Sequence, residues 1–296
     1  MHQQEIRLKP GTLWTRIKKT TELALKSGAL KSIPTELEIF EKDGIKFVIR
    51  ILENINRKNA DKAKKDQEAT KTGKEFNPFL PYEEDLFVTD ISNTHVCILN
   101  KFNVVDYHLL IITRAFEPQE SLLTLEDLTA VWACLAEFNG LVFYNGGKLA
   151  GASQPHKHLQ IVPFTEIDIP ISPLLKTAKL ENDLGTIPEF PFLHAFTTLK
   201  MGESAEVTLE KYHTLLRTMG IKPLENNMQS GAYNLLFTRE WMLIVPRKQE
   251  EFEKISVNSL GFAGALLVKN QQQMQLLKNI NPINLLNNVA FPRQQN

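Results

Sequence analysis

With 296 residues, 43% of them hydrophobic, the chain is long enough to bury a full core, as one large domain or two modest ones. Lys plus Arg and Asp plus Glu both number 34, so no global field recruits nucleic acid or an acidic membrane, and an anionic substrate must meet local donors instead. Cys97 and Cys134 lack the paired spacing of a zinc site or a stapled secreted domain, MHQQEIRLKPGTLW has no apolar leader, and no run is long enough to span a bilayer; the expectation is a cytoplasmic protein without nucleic-acid or membrane partners.

Apolar residues recur at helical spacing from Leu13 to Leu30, with Gly28 placed to stop the helix. After Pro34 the chain alternates, with Leu37 and Ile39 and then Phe47, Ile49 and Ile51 on one side of the turn residues Asp43 and Gly44, which predicts a hairpin. From Asn56 to Asn77 almost every side chain is polar, so a mobile loop is expected at about 56–77. His95 to Leu99 and His108 to Thr113 are β-rich and separated by the polar stretch Lys101 to Asp106, the pattern of antiparallel neighbours. Helical periodicity returns over Leu122 to Val142, with Thr124 as N-cap and Asp127 completing a box-like start. The proline-rich stretch Pro170 to Pro191 reads as a link between two halves. Beyond it come a helix over Glu203 to Met219, a strand pair at Ala232 to Phe237 and Trp241 to Val245, and helical patterning from Asn258 to Leu277. Without βαβ regularity, this order predicts an α+β fold on an antiparallel sheet, divided into units at 1–185 and 186–296.

The chemistry concentrates in YNGGKLAGASQPHKHLQIVPF, Tyr144 to Phe164. A Gly-rich loop runs into a segment whose period of two puts His156, His158, Gln160 and Val162 on one face, with Lys157 and Leu159 pointing away. An imidazole that is largely neutral near pH 7 can attack phosphorus without a separate strong base. Gly146, Gly147 and Gly151 let backbone N–H groups approach anionic oxygens, and Ser153 and Gln154 add neutral donors. An isolated histidine is more often a satisfied core or surface residue, which is the reading for His2, His95, His194 and His213. Two histidines at period two could also hold zinc, but no third Cys, Asp or Glu ligand lies near them in sequence, so no metal site is expected.

The spaced run Asn145, Gly151, Ser153, His156, His158, Gln160 resembles the active-site signature of the transferase branch of the histidine-triad superfamily. Galactose-1-phosphate uridylyltransferases share it; the closer likeness is to the diadenosine tetraphosphate phosphorylases, also called ATP adenylyltransferases. It extends over NPF at Asn77 to Phe79, LNKFNVVDYHLLIIT at Leu99 to Thr113, and YNLLFTREWMLIVPR at Tyr233 to Arg247, and so spans most of the chain. The resemblance implies a histidine-triad-like antiparallel sheet with flanking helices, extended by a C-terminal α+β unit. It implies phosphorolysis of diadenosine tetraphosphate to ATP and ADP, and the reverse, through an adenylyl-histidine.

By the same resemblance His158 is the nucleophile, His156 supports its orientation by hydrogen bonding, and Ser153 and Gln160 hold phosphate oxygens. Asn145 and Gly151 match positions that contact the phosphate or place the loop, where Ala152 and Gln154 also lie. Lys101 is the candidate cation for a polyphosphate tail; Asn100, Thr238, Arg247 and Lys248 are softer binding candidates. The expected partners are nucleotides (diadenosine tetraphosphate, ATP, ADP) and orthophosphate. No cofactor is expected to bind tightly, any Mg2+ arriving on the nucleotide. Gln160 stands where hydrolases of the superfamily carry a third histidine; glutamine donates a hydrogen bond but cannot act as a near-neutral acid. Three rivals stand beside this reading: a hexose-1-phosphate uridylyltransferase-like enzyme, an asymmetric dinucleoside polyphosphate hydrolase, and a non-catalytic nucleotide-binding regulator. Cys97 and Cys134 do not reproduce the Cys and His zinc site frequent in the first, and a binder has no need of a positioned nucleophile.

Overall fold

Helix α1 (Leu13–Ser27) buries Leu13, Ile17 and Ala24 and stops at Gly28, whose φ of +76° supplies the left-handed turn that ends it. The expected hairpin follows as β1 (Thr35–Lys42) and β2 (Ile45–Leu52), paired antiparallel with Lys42 opposite Ile45. The computed structural model describes residues 5–42, 44–52, 77–164 and 169–293. The loop expected at about 56–77 lies, apart from Asn77, outside the described residues, as does His2.

Strands β3 (Phe87–Asp90), β4 (His95–Leu99) and β5 (Leu109–Thr113) form a meander. Helix α2 (Leu125–Leu135) begins in the predicted capping box: the Thr124 hydroxyl accepts the Asp127 N–H, and the Thr124 N–H donates to the Asp127 carboxylate. This helix is shorter than the helical period over Leu122 to Val142 suggested. The end of that predicted stretch, Gly140 to Val142, belongs instead to β6 (Gly140–Gly146), a strand buried along its whole length; such a run lacks the polar alternation that would have separated it from a buried helix. Strand β7 (His158–Pro163) pairs with β5 and β6.

The stretch Pro170 to Pro191 is more structured than a link. It holds a helical turn, α3 (Ser172–Leu175), and the short strands β8 (Lys179–Glu181) and β9 (Leu184–Thr186). Strand β10 (Ala195–Thr198), helix α4 (Ala205–Thr218), and strands β11 (Tyr233–Phe237) and β12 (Trp241–Pro246) follow. A small hairpin, β13 (Glu251–Phe252) and β14 (Ile255–Ser256), comes next. The predicted helix over Asn258 to Leu277 is instead helix α5 (Ser259–Phe262), strand β15 (Ala265–Val268) and helix α6 (Gln271–Ile280), followed by α7 (Pro282–Val289). Gly264, at φ +87°, breaks the helix, and the apolar Ala265 to Val268 pairs parallel with β2.

Among the described residues, ten strands make one antiparallel sheet in the order β3-β4-β5-β7-β6-β11-β12-β10-β9-β8, and β1-β2-β15 make a second of three. The large sheet runs across residues 185 and 186, with Asn145 of β6 opposite Asn234 of β11. One of its faces carries Leu109, Ile111, Val142, Tyr144, Leu159 and Ile161 against α1, α2 and α4. On the other, two separate apolar clusters form: Leu110 and Ile112 with Phe79, and Phe143, Leu236 and Leu243 with β2, β15, α6 and α7. Strand alternation puts His158 and Gln160 on this second face, opposite Ile112, Leu110 and Phe143, and therefore in the gap between the clusters.

Candidate active site

The His158 ring is buried and tilted against Phe79, with centroids 5.3 Å apart. Its Nδ1 lies 2.8 Å from the main-chain carbonyl of His156. A carbonyl only accepts, so Nδ1 carries the proton and Nε2 keeps its lone pair. No described residue bonds Nε2. Burial lowers this histidine to about 4, against the opposing effect of the His156 carbonyl, so the ring is neutral near pH 7. Gln119 fixes the main chain beneath it: its Oε1 accepts the His158 N–H at 2.9 Å, and its Nε2 donates to the carbonyls of Asn145 (2.9 Å) and His158 (3.3 Å).

His156 also packs against Phe79, with centroids 5.5 Å apart, but its imidazole is fully occupied by other partners. The Phe79 N–H holds Asn77 Oδ1, which turns the Asn77 Nδ2 donor toward His156 Nδ1 at 3.0 Å. His156 Nε2–H then donates to the Thr113 carbonyl, with the Thr113 hydroxyl also 2.9 Å away. His156 meets His158 through its main-chain carbonyl, which accepts from His158 Nδ1, and not through its ring.

Gln160 Oε1 lies 2.9 Å from His108 Nε2, and His108 Nδ1 lies 3.3 Å from Asn100 Nδ2. Asn100 Oδ1 accepts the Phe102 N–H. Asn145 is buried, its Oδ1 taking hydrogen bonds from the Ser259 N–H, the Ser259 hydroxyl and Asn234 Nδ2 at 2.7–3.0 Å, which leaves its own Nδ2 the free end of the amide. Gly151 is a steric requirement: φ is +87°, and a Cβ there would meet the Val257 carbonyl at 2.8 Å. Ala152 donates its N–H to the Gly147 carbonyl, closing the turn. Ser153 is exposed and Gln154 half-buried, and neither side chain has a hydrogen bond among the described residues.

Other sequence candidates are placed differently. Arg247 is buried, lowered by burial to about 9, and its guanidinium donates to the carbonyls of Val289, Val257, Gln249 and Glu250 and to Asn234 Oδ1, so all five donors are engaged in tying the loops together. Lys101 is ion-paired with Glu83. Thr238 caps the β11–β12 turn by accepting the Glu240 N–H, at the end of β11 remote from Asn234. Lys248 is exposed at the rim of a 440 Å³ cleft lined by Leu149, Ile221 and Phe291.

Lys157 points away from the gap, as the alternation requires, and into the other face. Its ammonium, wholly buried, meets Asp127 (2.5 Å), Glu117 (3.1 Å) and the Leu122 carbonyl (3.1 Å). Burial alone would raise the Asp127 carboxyl, but the His95 hydrogen bond and the Lys157 charge outweigh it and hold it at about 2. His95 and His194 are buried and hydrogen-bonded, the core histidines that the sequence suggested. Gln119, Thr113 and His108 escaped sequence reasoning because their contacts depend on strand pairing, although Asn77, His108 and Thr113 all lie inside segments already singled out. Among the described residues, no group of three or more His, Cys, Asp or Glu could hold a metal ion, and no helix is long and apolar enough to cross a membrane.

A family model described as the Ap4A phosphorylase N-terminal domain matches residues 3–177, and one described as the ATP adenylyltransferase C-terminal domain matches residues 188–292. Diadenosine 5',5'''-P1,P4-tetraphosphate phosphorylase 2 of Saccharomyces cerevisiae is 30% identical over 245 residues, covering 72% of this chain and 75% of that protein. Protein APA1 of the same organism is 32% identical over 201 residues, 59% of this chain and 61% of that one. The crystal structure of the yeast Ap4A phosphorylase Apa2 in complex with AMP matches with a TM-score of 0.79 at 25% identity, over 98% of this chain and 100% of the other.

Proposed function

Since the chain belongs to the Ap4A phosphorylase and ATP adenylyltransferase family of transferases, we propose that it phosphorolyses diadenosine tetraphosphate to ATP and ADP, and runs the reverse reaction, through an adenylyl group carried on His158. The observation that carries this reading is the state of the His158 ring: proton on Nδ1, held by a carbonyl, and a free lone pair on Nε2 facing the gap between two apolar clusters. Nε2 attacks the α-phosphorus, the bond to the bridging oxygen breaks, and ATP leaves with the electron pair. The ring becomes cationic as the N–P bond forms, and the His156 carbonyl, already accepting from Nδ1, stabilises that charge. An orthophosphate oxygen then attacks the same phosphorus from the face ATP vacated, the N–P bond breaks, and ADP departs.

The donors available for the phosphate oxygens are neutral: the Gln160 amide, the free end of Asn145, the Ser153 hydroxyl, and the N–H groups of Ser153 and Gln154, those of Gly151 and Ala152 being held by the Lys148 and Gly147 carbonyls. Lys101 is paired with Glu83 and Thr238 caps a turn, so this step is assigned to neither, while Lys157 and Arg247 secure the surrounding frame. Any Mg2+ would be carried by the substrate polyphosphate and would supply charge neutralisation there. One yeast relative carries the phosphorylase name, and the yeast Ap4A phosphorylase Apa2 was solved with AMP, the nucleotide whose adenylyl group this mechanism places on histidine.

Omitting orthophosphate tests the proposal. Without it, diadenosine tetraphosphate should give at most one equivalent of ATP per active site; with it, ATP and ADP should accumulate in equal amounts. Rapid phosphate-independent release of AMP and ATP would make the enzyme a hydrolase and end the phosphorylase reading.

A further inference from the structure

An amide side chain can present either its oxygen or its NH2 to a ligand, and only the NH2 end attracts a phosphate oxygen. Gln160 could therefore help or hinder the transfer depending on a rotation of half a turn. The structure contains a chain of hydrogen bonds that decides the matter, starting from a backbone donor with a single sense. The Phe102 N–H donates to Asn100 Oδ1 at 3.2 Å. That fixes Asn100 with Nδ2 toward His108, so His108 Nδ1 is the acceptor and the proton sits on Nε2. His108 Nε2–H in turn can only donate, so the group it meets at 2.9 Å must be Gln160 Oε1. The Gln160 NH2 is left pointing to the gap, on the strand position two residues beyond His158. His108 is itself buried, its ring packed 5.7 Å from that of Phe143, so it has little freedom to turn away.

We propose that His108 is a positioning residue for adenylyl transfer: together with Asn100 it holds Gln160 with its N–H groups toward the phosphate oxygens and its carbonyl away from them. The inference deepens the reading of the site given above and rests on it. Burial also lowers His108 to about 4, so the ring stays neutral over the working pH range and the relay keeps its polarity. Asn100 thereby acts through His108 and not on substrate.

The test is a double-mutant cycle read in kcat and KM for phosphorolysis of diadenosine tetraphosphate. His108→Leu and Gln160→Leu should each lower kcat about 10- to 100-fold, the loss of one oriented donor, with a much smaller change in KM. Combined, they should be no worse than Gln160→Leu alone, within about twofold, because His108 has nothing left to orient. His108→Gln, which keeps an N–H donor, should recover most of the loss. Asn100→Asp preserves shape but demands a proton from His108 Nδ1; it should move the proton from Nε2 to Nδ1, visible in the nitrogen NMR shifts of the ring, and lower kcat by a factor like that of His108→Leu. Additive losses in the double variant, full activity in Asn100→Asp, or an Nδ1–H tautomer of His108 in the parent protein would each overturn the assignment. The NMR reading does not depend on His108→Leu folding well. His158→Ala in the same assay separates the two levels: if that variant still turns over, the covalent reading itself has failed, whereas an inactive His158→Ala beside an additive cycle removes only the role of His108.

Discussion

Replacing Gln119 by leucine removes a side chain that never meets the substrate in the proposed mechanism, yet should damage both stability and turnover. Gln119 is 1% exposed and makes three hydrogen bonds, accepting from the His158 N–H and donating to the carbonyls of Asn145 and His158. It thus joins the first residue of β7 to the end of β6. Leucine leaves the His158 N–H buried without a partner, which costs about 1–3 kcal/mol, and forgoes two further bonds at a net value of about 1 kcal/mol each. The Asn145 carbonyl keeps one partner, the Gly147 N–H, so the lower part of the range applies there, and a total of about 3 kcal/mol is expected. Urea denaturation gives that quantity directly. The same loss frees the His158 main chain to shift relative to the donor loop, and misplacement on the scale of an ångström costs about 100-fold in rate. If Gln119→Leu kept its urea midpoint and its kcat within about twofold, the account of how the nucleophile is held would be refuted.

His158→Ala should abolish turnover, whereas His156→Ala should lower kcat by about 10- to 100-fold at most, since the carbonyl that holds Nδ1 survives the substitution; steady-state kinetics on the two variants decides. Burial lowers His108, His158 and His194 to about 4 from an ordinary 6.5. The unfolded chain therefore binds more protons than the folded one between these values, so stability is full above about pH 6.5 and falls as pH drops toward 4, a trend that urea midpoints at pH 7.5 and 5 would show and that His194→Gln should weaken. Lys157→Met leaves Asp127 buried without its ammonium partner and should cost about 3–5 kcal/mol in the same denaturation assay, far above a surface lysine change. Gly151→Ala, strained by its φ of +87° and blocked by the Val257 carbonyl, should lose about 1–3 kcal/mol or more and most of its activity.

Elements with local signals were legible in the sequence: the Gly28 stop, the Thr124–Asp127 box, the 35–52 hairpin and the strand pair at 233–246. Where the sequence misled, a buried apolar run carried no period of its own. Gly140 to Gly146 and Ala265 to Val268 became strands because neighbours were there to pair with them, β7 and β11 for the first and β2 for the second. The site shows the same division. Period two placed His156, His158 and Gln160 on one side and Lys157 on the other, but nothing local revealed that Gln119, 39 residues earlier, grips the His158 main chain, or that His108 faces Gln160 across β5 and β7. Lys101 and Arg247 attracted interest as cations; their ion pair and carbonyl cage are tertiary facts.

The central claim is a covalent bond between phosphorus and His158 Nε2. Brief exposure to diadenosine tetraphosphate labelled at the α-phosphorus, without orthophosphate, followed by alkaline quench, proteolysis and mass spectrometry, should place one AMP on the peptide containing His158. That adduct should be stable in alkali, lost in acid, and converted to ADP when orthophosphate is added before the quench. An acid-stable adduct on Ser153, or full turnover with no protein-bound AMP at any time, would contradict the account.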